Sequence, residues 1–286
     1  MIQHNFIAID EGHATLLHIN ERDQSWNRLV PIGQPQARDM QLIGDGKILI
    51  GHHYDYSEFD LALRRLAKEF KSLEGVTAVR RQPNGHTHLP SVDIPRTKGV
   101  VVLELDKDEI EIQRTAFPGD YVRVIRQTEH GTYLMSCNDR IREGSRDGRY
   151  LREFPVDGFY HAWKSLRLPT GNLIVTAGYG AFVVELDSSG KILRKFGGKE
   201  SVPEKVRPFF YAMFQLLPNG NIVLANWPGF GQSGMQLSEF NYAPEIVWSW
   251  NKSDLISLLQ GVLVLDGLDT SKIHDELGGV MKPIFV

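Results

Sequence analysis

Cysteine is nearly absent. Cys137 is the only one in 286 residues, so no intramolecular disulfide can form and nothing marks adaptation to an oxidising compartment. Long apolar runs are missing too: GVVVLEL and GVLVL fall far short of the ~20 residues that cross a bilayer as a helix. The opening MIQHNFIAID has no basic stretch followed by an apolar one. The chain therefore reads as soluble and cytoplasmic as written, or periplasmic or secreted if a signal peptide has been removed. Neither sign of charge dominates. With 32 Lys and Arg against 35 Asp and Glu, the net charge is -3, so neither nucleic acid nor an anionic membrane is an expected partner. Several catalytic signatures are also lacking. There is no Gly-x-Ser-x-Gly elbow, no His-Glu-x-x-His, no Cys-x-x-Cys and no phosphate loop, since the glycine-bearing stretch 226–231 has neither the lysine nor a following helix.

Repetition is what the sequence does have. Five segments, MQLIGDGKILIG, AVRRQPNGHTHLP, VIRQTEHGTYLMS, SLRLPTGNLIVTA and FQLLPNGNIVLAN, each join two apolar strands through a turn that ends in glycine. The glycines Gly46, Gly85, Gly131, Gly171 and Gly220 recur at intervals of 39, 46, 40 and 49 residues. Such turns demand positive φ, which glycine adopts without steric cost. Between the hairpins lie five further segments carrying Glu58, Glu104, Glu143, Glu185 and Glu239 at equivalent places. A unit repeated around a ring sets all five at one radius, so structural or solvated roles are expected for them. The pattern predicts an all-β fold, a six-bladed β-propeller of four-stranded antiparallel blades in a single domain.

Five hairpins leave a ring open, and an open edge invites aggregation. The termini supply the missing blade: residues 256–266 are expected to pair with the strand around Phe6 to Asp10. The blades then span 256–266 with 5–33, and 34–74, 75–115, 116–156, 157–205 and 206–252, with 267–286 left as a tail. The segment 60–73 also fits a helix, although its register with the other blades favours strands.

LPNGNIVLAN and ELDSSGKILRKF resemble the repeats of bacterial propellers of the quinoprotein-like and arylsulfotransferase-like groups, along nearly the whole chain. The resemblance implies the fold. Its members include lyases, transferases, dehydrogenases and binding platforms, so it assigns no chemistry by itself. Pyrroloquinoline quinone is not expected, because the vicinal cysteine pair often found against that quinone has no counterpart beside Cys137, and no other cofactor is predicted.

Treating each hairpin as a two-residue turn sets Arg38 opposite His53, Arg123 opposite Asn138, Trp163 opposite Gly178 and Met213 opposite Asn226. All these ends lie on the ring face away from the glycine turns. A polar and aromatic funnel on the axis follows, made of Arg38, His52, His53, Tyr54, Asp55, Tyr121, Arg123, Asn138, Asp139, Arg140, His161, Trp163, Tyr179, Tyr211, Asn226 and Trp227. Aromatic faces stack on a sugar ring, arginine clamps a carboxylate, and histidine or tyrosine exchanges a proton near neutral pH. The catalytic expectation is His53 or His161 as base and Tyr121 or Tyr179 as acid. Arg38, Arg123 or Arg140 would bind the carboxylate of a uronate-type substrate of a lyase or hydrolase. His52, His53 and His161 could supply imidazoles to a divalent metal. Asp10, Glu11 and His13 reach the same end of the ring but stay outside the catalytic set. The alternative is a non-catalytic propeller that binds a protein or glycan through its rim loops.

Overall fold

The turns set the strand register. Four repeat hairpins turn on three residues, with Gly85, Gly131, Gly171 and Gly220 as the third, at φ between 76° and 85°. In each, the glycine N–H and the residue opposite close the loop, as in Gly131 N–H to the Thr128 carbonyl and Thr128 N–H to the Thr132 carbonyl. This is a type I turn followed by a glycine bulge. Only Asp45-Gly46, with both residues at positive φ between the paired Gly44 and Lys47, is the two-residue turn that the sequence pattern predicts throughout. The three-residue turns move the expected cross-strand partners by one residue, and β-bulges between Leu42 and Gly44, Val122 and Ile125, and Tyr211 and Phe214 move them by one more. Asn226 pairs with Tyr211 instead of Met213, Cys137 with Val122, Val175 with Ser165, and Asp39 with Gly51, which leaves Arg38 opposite His52.

The structure, a computed structural model, describes residues 1–66 and 73–284. Six antiparallel sheets form the blades of a β-propeller. Their innermost strands are Leu259–Val264, Asp39–Gly44, Arg80–Arg81, Val122–Gln127, Ser165–Arg167 and Phe210–Leu216. Five blades have four strands. The second has three among the described residues, with Arg65 bridged to Phe59 beyond them. Residues 61–66 contain a turn and that bridge, so they are not helical; the rest of the segment that also fitted a helix lies mostly outside the described residues. The only helices among the described residues are two single 3-10 turns. None is long and apolar enough to cross a membrane. Ring closure is as expected: Phe6 pairs with Val264, Ile7 with Leu263 and Ala8 with Val262. Leu259–Val264 is buried along its whole length, which explains its unbroken apolar sequence.

The five repeated glutamates are braces. Glu58 pairs with Arg81 of the next blade at 2.8 Å, Glu104 with Arg146 at 2.9 Å and Glu143 with Arg167 at 2.6 Å. Glu185 bonds within its own blade to Arg194 and Asn172. Glu239 reaches across the closing seam to His4 at 2.8 Å, and the other nitrogen of that imidazole meets Asp266 at 2.5 Å. Burial disfavours the charged imidazole, yet the two carboxylates outweigh it and raise the His4 pKa above the ordinary 6.5.

The tail does what no sequence pattern announced: it fills the axis. Residues 270–276 cross the face that carries the glycine turns, where Gly46 N–H bonds to the Thr270 carbonyl and Ile43 bridges Ile273. Glu276 then enters the ring. It meets Arg126 at 3.0 Å, Arg80 at 3.5 Å and the Lys164 ammonium. Asp39 binds Arg126 at 2.8 Å and Arg80 at 3.0 Å. These five side chains, from four blades and the tail, are each 7% exposed or less. Burial alone would push the Glu276 carboxyl up; Lys164, Arg126 and Arg80 overrule it and hold it near 2. Burial lowers Lys164 to about 8 despite Glu276.

Two outcomes are expected. Glu276→Gln leaves Lys164 and Arg126 short of a counter-charge and should cost about 3–5 kcal/mol in urea unfolding; an unchanged midpoint would show that the network contributes nothing. The His4 clamp has a raised folded-state pKa, so its contribution is complete below pH 6.5 and is lost as pH climbs from there through the higher folded-state pKa. The difference in melting temperature between wild type and His4→Ala should therefore shrink with increasing pH.

Candidate functional site

On the face away from the tail, the first residues of the inner strands form a funnel floored by Trp163, which is 2% exposed. Two guanidiniums flank its indole, Arg38 at 5.8 Å and Arg123 at 5.5 Å from the ring centre. Arg38 is neutralised. Its Nη2 and Nε both donate to one carboxylate oxygen of Glu11, at 2.9 and 3.2 Å. Arg123 is not. Among the described residues no carboxylate pairs with it; it stacks on Tyr121 at 4.7 Å, donates to the Tyr121 hydroxyl and lies 3.4 Å from His161 Nδ1. Burial, and then Arg38 beside it, lowers the Arg123 pKa, although Tyr121 and Glu11 oppose the shift. A guanidinium nevertheless stays charged in a protein. The buried Nε of Arg123 and Nε1 of Trp163 have no hydrogen-bond partner, an uncommon condition for buried donors.

His161 and Tyr179 reach the funnel through close backbone contact. His161 has φ of 57° and donates its N–H to Asn138 Oδ1 at 3.2 Å. Tyr179 N–H bonds to the Tyr160 carbonyl at 2.9 Å. Gly178 permits this crossing, since a Cβ there would lie 2.1 Å from the His161 carbonyl oxygen. Burial and then the Arg123 charge lower the His161 pKa, so its imidazole is neutral at neutral pH. Because Arg123 donates towards Nδ1, the lone pair sits on that nitrogen. An aromatic series continues outward from the floor, from Trp163 to Phe210 at 5.3 Å, Tyr179 at 4.6 Å from Phe210, and Phe209 at 5.7 Å from Tyr179.

The structure thus brings together Arg38, Arg123, Tyr121, His161, Trp163 and Tyr179, and adds Glu11, which the sequence placed at this end without a role. Other members of the expected set have separate tasks. Asn226 is buried and ties the rim, accepting from Phe209 N–H and donating to the Val206, Arg207 and Met235 carbonyls. Tyr211 is an internal brace whose hydroxyl donates to the Gly197 carbonyl at 2.6 Å. Trp227 is 4% exposed and packs between Phe209 and Phe230. Asp139 and Arg140 pair with each other at 2.9 Å on an exposed rim, with Glu153 nearby. His52 is buried against Ser57, Asp55 receives the Tyr56 N–H, and His53 faces Glu74 at 3.5 Å beside Tyr54. No group of three or more His, Cys, Asp or Glu side chains arranged for a metal occurs among the described residues. Asp10, buried and fixed by the Ser257 and Leu258 N–H groups, holds His13 at 2.8 Å on the neighbouring loop.

Similarity to solved structures is a similarity of fold. A protein of unknown function from Bacteroides caccae matches with a TM-score of 0.75 at 20% identity, over 92% of this chain and 99% of that one. A catalytically inactive virginiamycin B lyase from Staphylococcus aureus, crystallised with quinupristin, gives 0.53 at 14% identity over 76% of this chain and 70% of that one. The WD40 β-propeller domain of Doa1 gives 0.54 at 14% identity over 96% and 83%. No family model and no curated protein matches the sequence.

Replacing Gly178 by alanine forces the His161 segment away from its neighbour. An expected loss of about 1–3 kcal/mol in stability, read by urea unfolding, would confirm that this glycine holds the crossing; an unchanged midpoint would refute it.

Proposed function

We propose that the axial funnel binds a small acidic molecule of the uronate class and breaks it by a lyase reaction. The observation that carries this reading is Arg123, sunk beside Trp163 without a carboxylate partner among the described residues. Arg38 with Glu11 is a neutral pair, so Arg123 leaves the floor with one uncompensated positive charge. A ligand carboxylate can accept two parallel hydrogen bonds from such a guanidinium. Tyr121 and Tyr179, both exposed, offer ring faces to a pyranose.

The chemistry follows from which groups share a side of the funnel. With the substrate carboxylate on Arg123, the proton on the adjacent carbon becomes more acidic. The bound carboxylate takes over the Arg123 N–H groups, which frees the His161 Nδ1 lone pair that faces Arg123 in the unliganded protein, and this nitrogen takes that proton. The electrons of the broken C–H bond form a carbon–carbon double bond as the C–O bond to the leaving group breaks. The Tyr179 hydroxyl gives the departing oxygen its proton and recovers one from solvent as His161 releases its own. The repeat resemblance to bacterial quinoprotein-like propellers and the fold shared with a lyase agree with a small-molecule site on the axis. The second reading, a rim that binds a protein or glycan without turnover, draws on the exposed Tyr160, Phe209 and Phe230.

Galacturonate or mannuronate should raise the melting temperature of the wild type, and Arg123→Ala should abolish that rise. His161→Asn should keep the shift and lose turnover by about 100-fold or more, assayed on the matching uronate oligomers by ultraviolet absorbance of the new double bond. Since the base must be neutral and its pKa is lowered, the acid limb of activity should lie below pH 6.5. A rise that persists in Arg123→Ala, or none with any acidic sugar, overturns the proposal in favour of the rim reading.

A further inference from the structure

Beside the funnel, between the last two blades, lies a groove of about 710 Å³ lined by Lys199, Arg207, Phe209, Pro228, Phe230 and Gln232 among others. Its size falls within the ~300–1,000 Å³ common for small-ligand sites. Its walls are built in advance of any ligand. The segment 206–209 and the loop 228–235 are both tied to the buried Asn226 amide, and Met235 N–H bonds to the Val206 carbonyl. The groove also adjoins the funnel, because Phe209 packs against both Tyr179 at 5.7 Å and Trp227 at 5.2 Å, and Trp227 against Phe230 at 4.6 Å. Phe209 is 43% exposed and Phe230 78%, leaving ring surface open. Lys199 and Arg207 against the single acid Glu204 give the groove a net positive charge.

We infer that this groove is a second subsite that receives the next units of an acidic oligosaccharide whose terminal uronate occupies the funnel. The inference rests on the funnel reading and sharpens it: the substrate is an oligomer, and the funnel alone holds only its end. Aromatic faces suit sugar rings, while Lys199 and Arg207 suit the carboxylates that recur along a polyuronate. A neutral glycan would leave those two cations unused, and a flat protein surface would not fill a groove with fixed walls.

Calorimetric titration with galacturonate and with mannuronate, each as monomer and as oligomers of two to four units, tests this directly. The oligomer of the sugar that binds should exceed its monomer by about tenfold or more in affinity. Phe230→Ala and Lys199→Glu should each return the oligomer to the affinity of the monomer and leave the monomer unchanged. Both side chains are exposed, so the variants should fold, with unaltered melting temperature as the check. Equal affinity for monomer and oligomer overturns the second subsite and leaves the funnel reading standing. So does a gain for the oligomer that survives both substitutions. Absence of binding by every uronate removes the funnel reading, and this inference with it.

Discussion

Charged side chains buried together on the ring axis, with Asp275 beside Arg80 at 3.6 Å among them, impose the constraint on which the rest of the structure depends. Asp39, Arg80, Arg126, Lys164 and Glu276 would each be costly to bury alone, because the interior cannot replace the water that solvates a charge. They become tolerable only when all are present and correctly spaced. Since they come from four blades and the tail, that spacing exists only in the closed ring with its tail inserted. Such a network is weak evidence of net stabilisation; what it does is penalise any arrangement that separates the partners. A slip of one residue in any of these inner strands would remove a partner and strand a charge.

The same layer gives the site its floor. The residue after Arg38 is Asp39, and the residue after Trp163 is Lys164, so one backbone step of about 3.8 Å separates the funnel from the axial network. A propeller channel open at both ends would offer ligands a solvated bore. Here one half is filled by charge pairs and the other narrows onto an indole between two guanidiniums. Two of the four funnel-side charges and potential bases are already committed, Arg38 to Glu11. Arg123 and a neutral His161 are the pair left to act, and low local polarity strengthens what they do.

Much of this was legible in the residues. The glycine-ended hairpins announce the blades, and closure by the two ends follows from a lone apolar segment at 256–266, within which Leu259–Val264 is the strand, and a first blade lacking its inner strand. The equivalence of the five glutamates pointed to structural roles, and they brace the blades. The cross-strand register was not legible, since a glycine after two polar residues fits both a two-residue turn and a three-residue turn with a bulge, and the two differ by one residue in every partner. That shift, with a further β-bulge between Tyr211 and Phe214, sets Asn226 against Tyr211 as structural residues, whereas Arg123 and His161 meet in the funnel through a left-handed residue and a glycine crossing.

Local chemistry along the chain determined the strands, the turns, the number of blades and which end of the ring collects polar and aromatic side chains. Those properties depend on residues close in sequence, through φ preferences and the two-residue alternation of a strand. Tertiary structure alone decided which charges are neutralised and which are left over. Glu276 finds Lys164 across 112 residues, Arg38 finds Glu11, and Arg123 finds no acid among the described residues. The reason is physical: an electrostatic environment is a sum over neighbours in space, and in a ring the neighbours of an axial residue come from every blade.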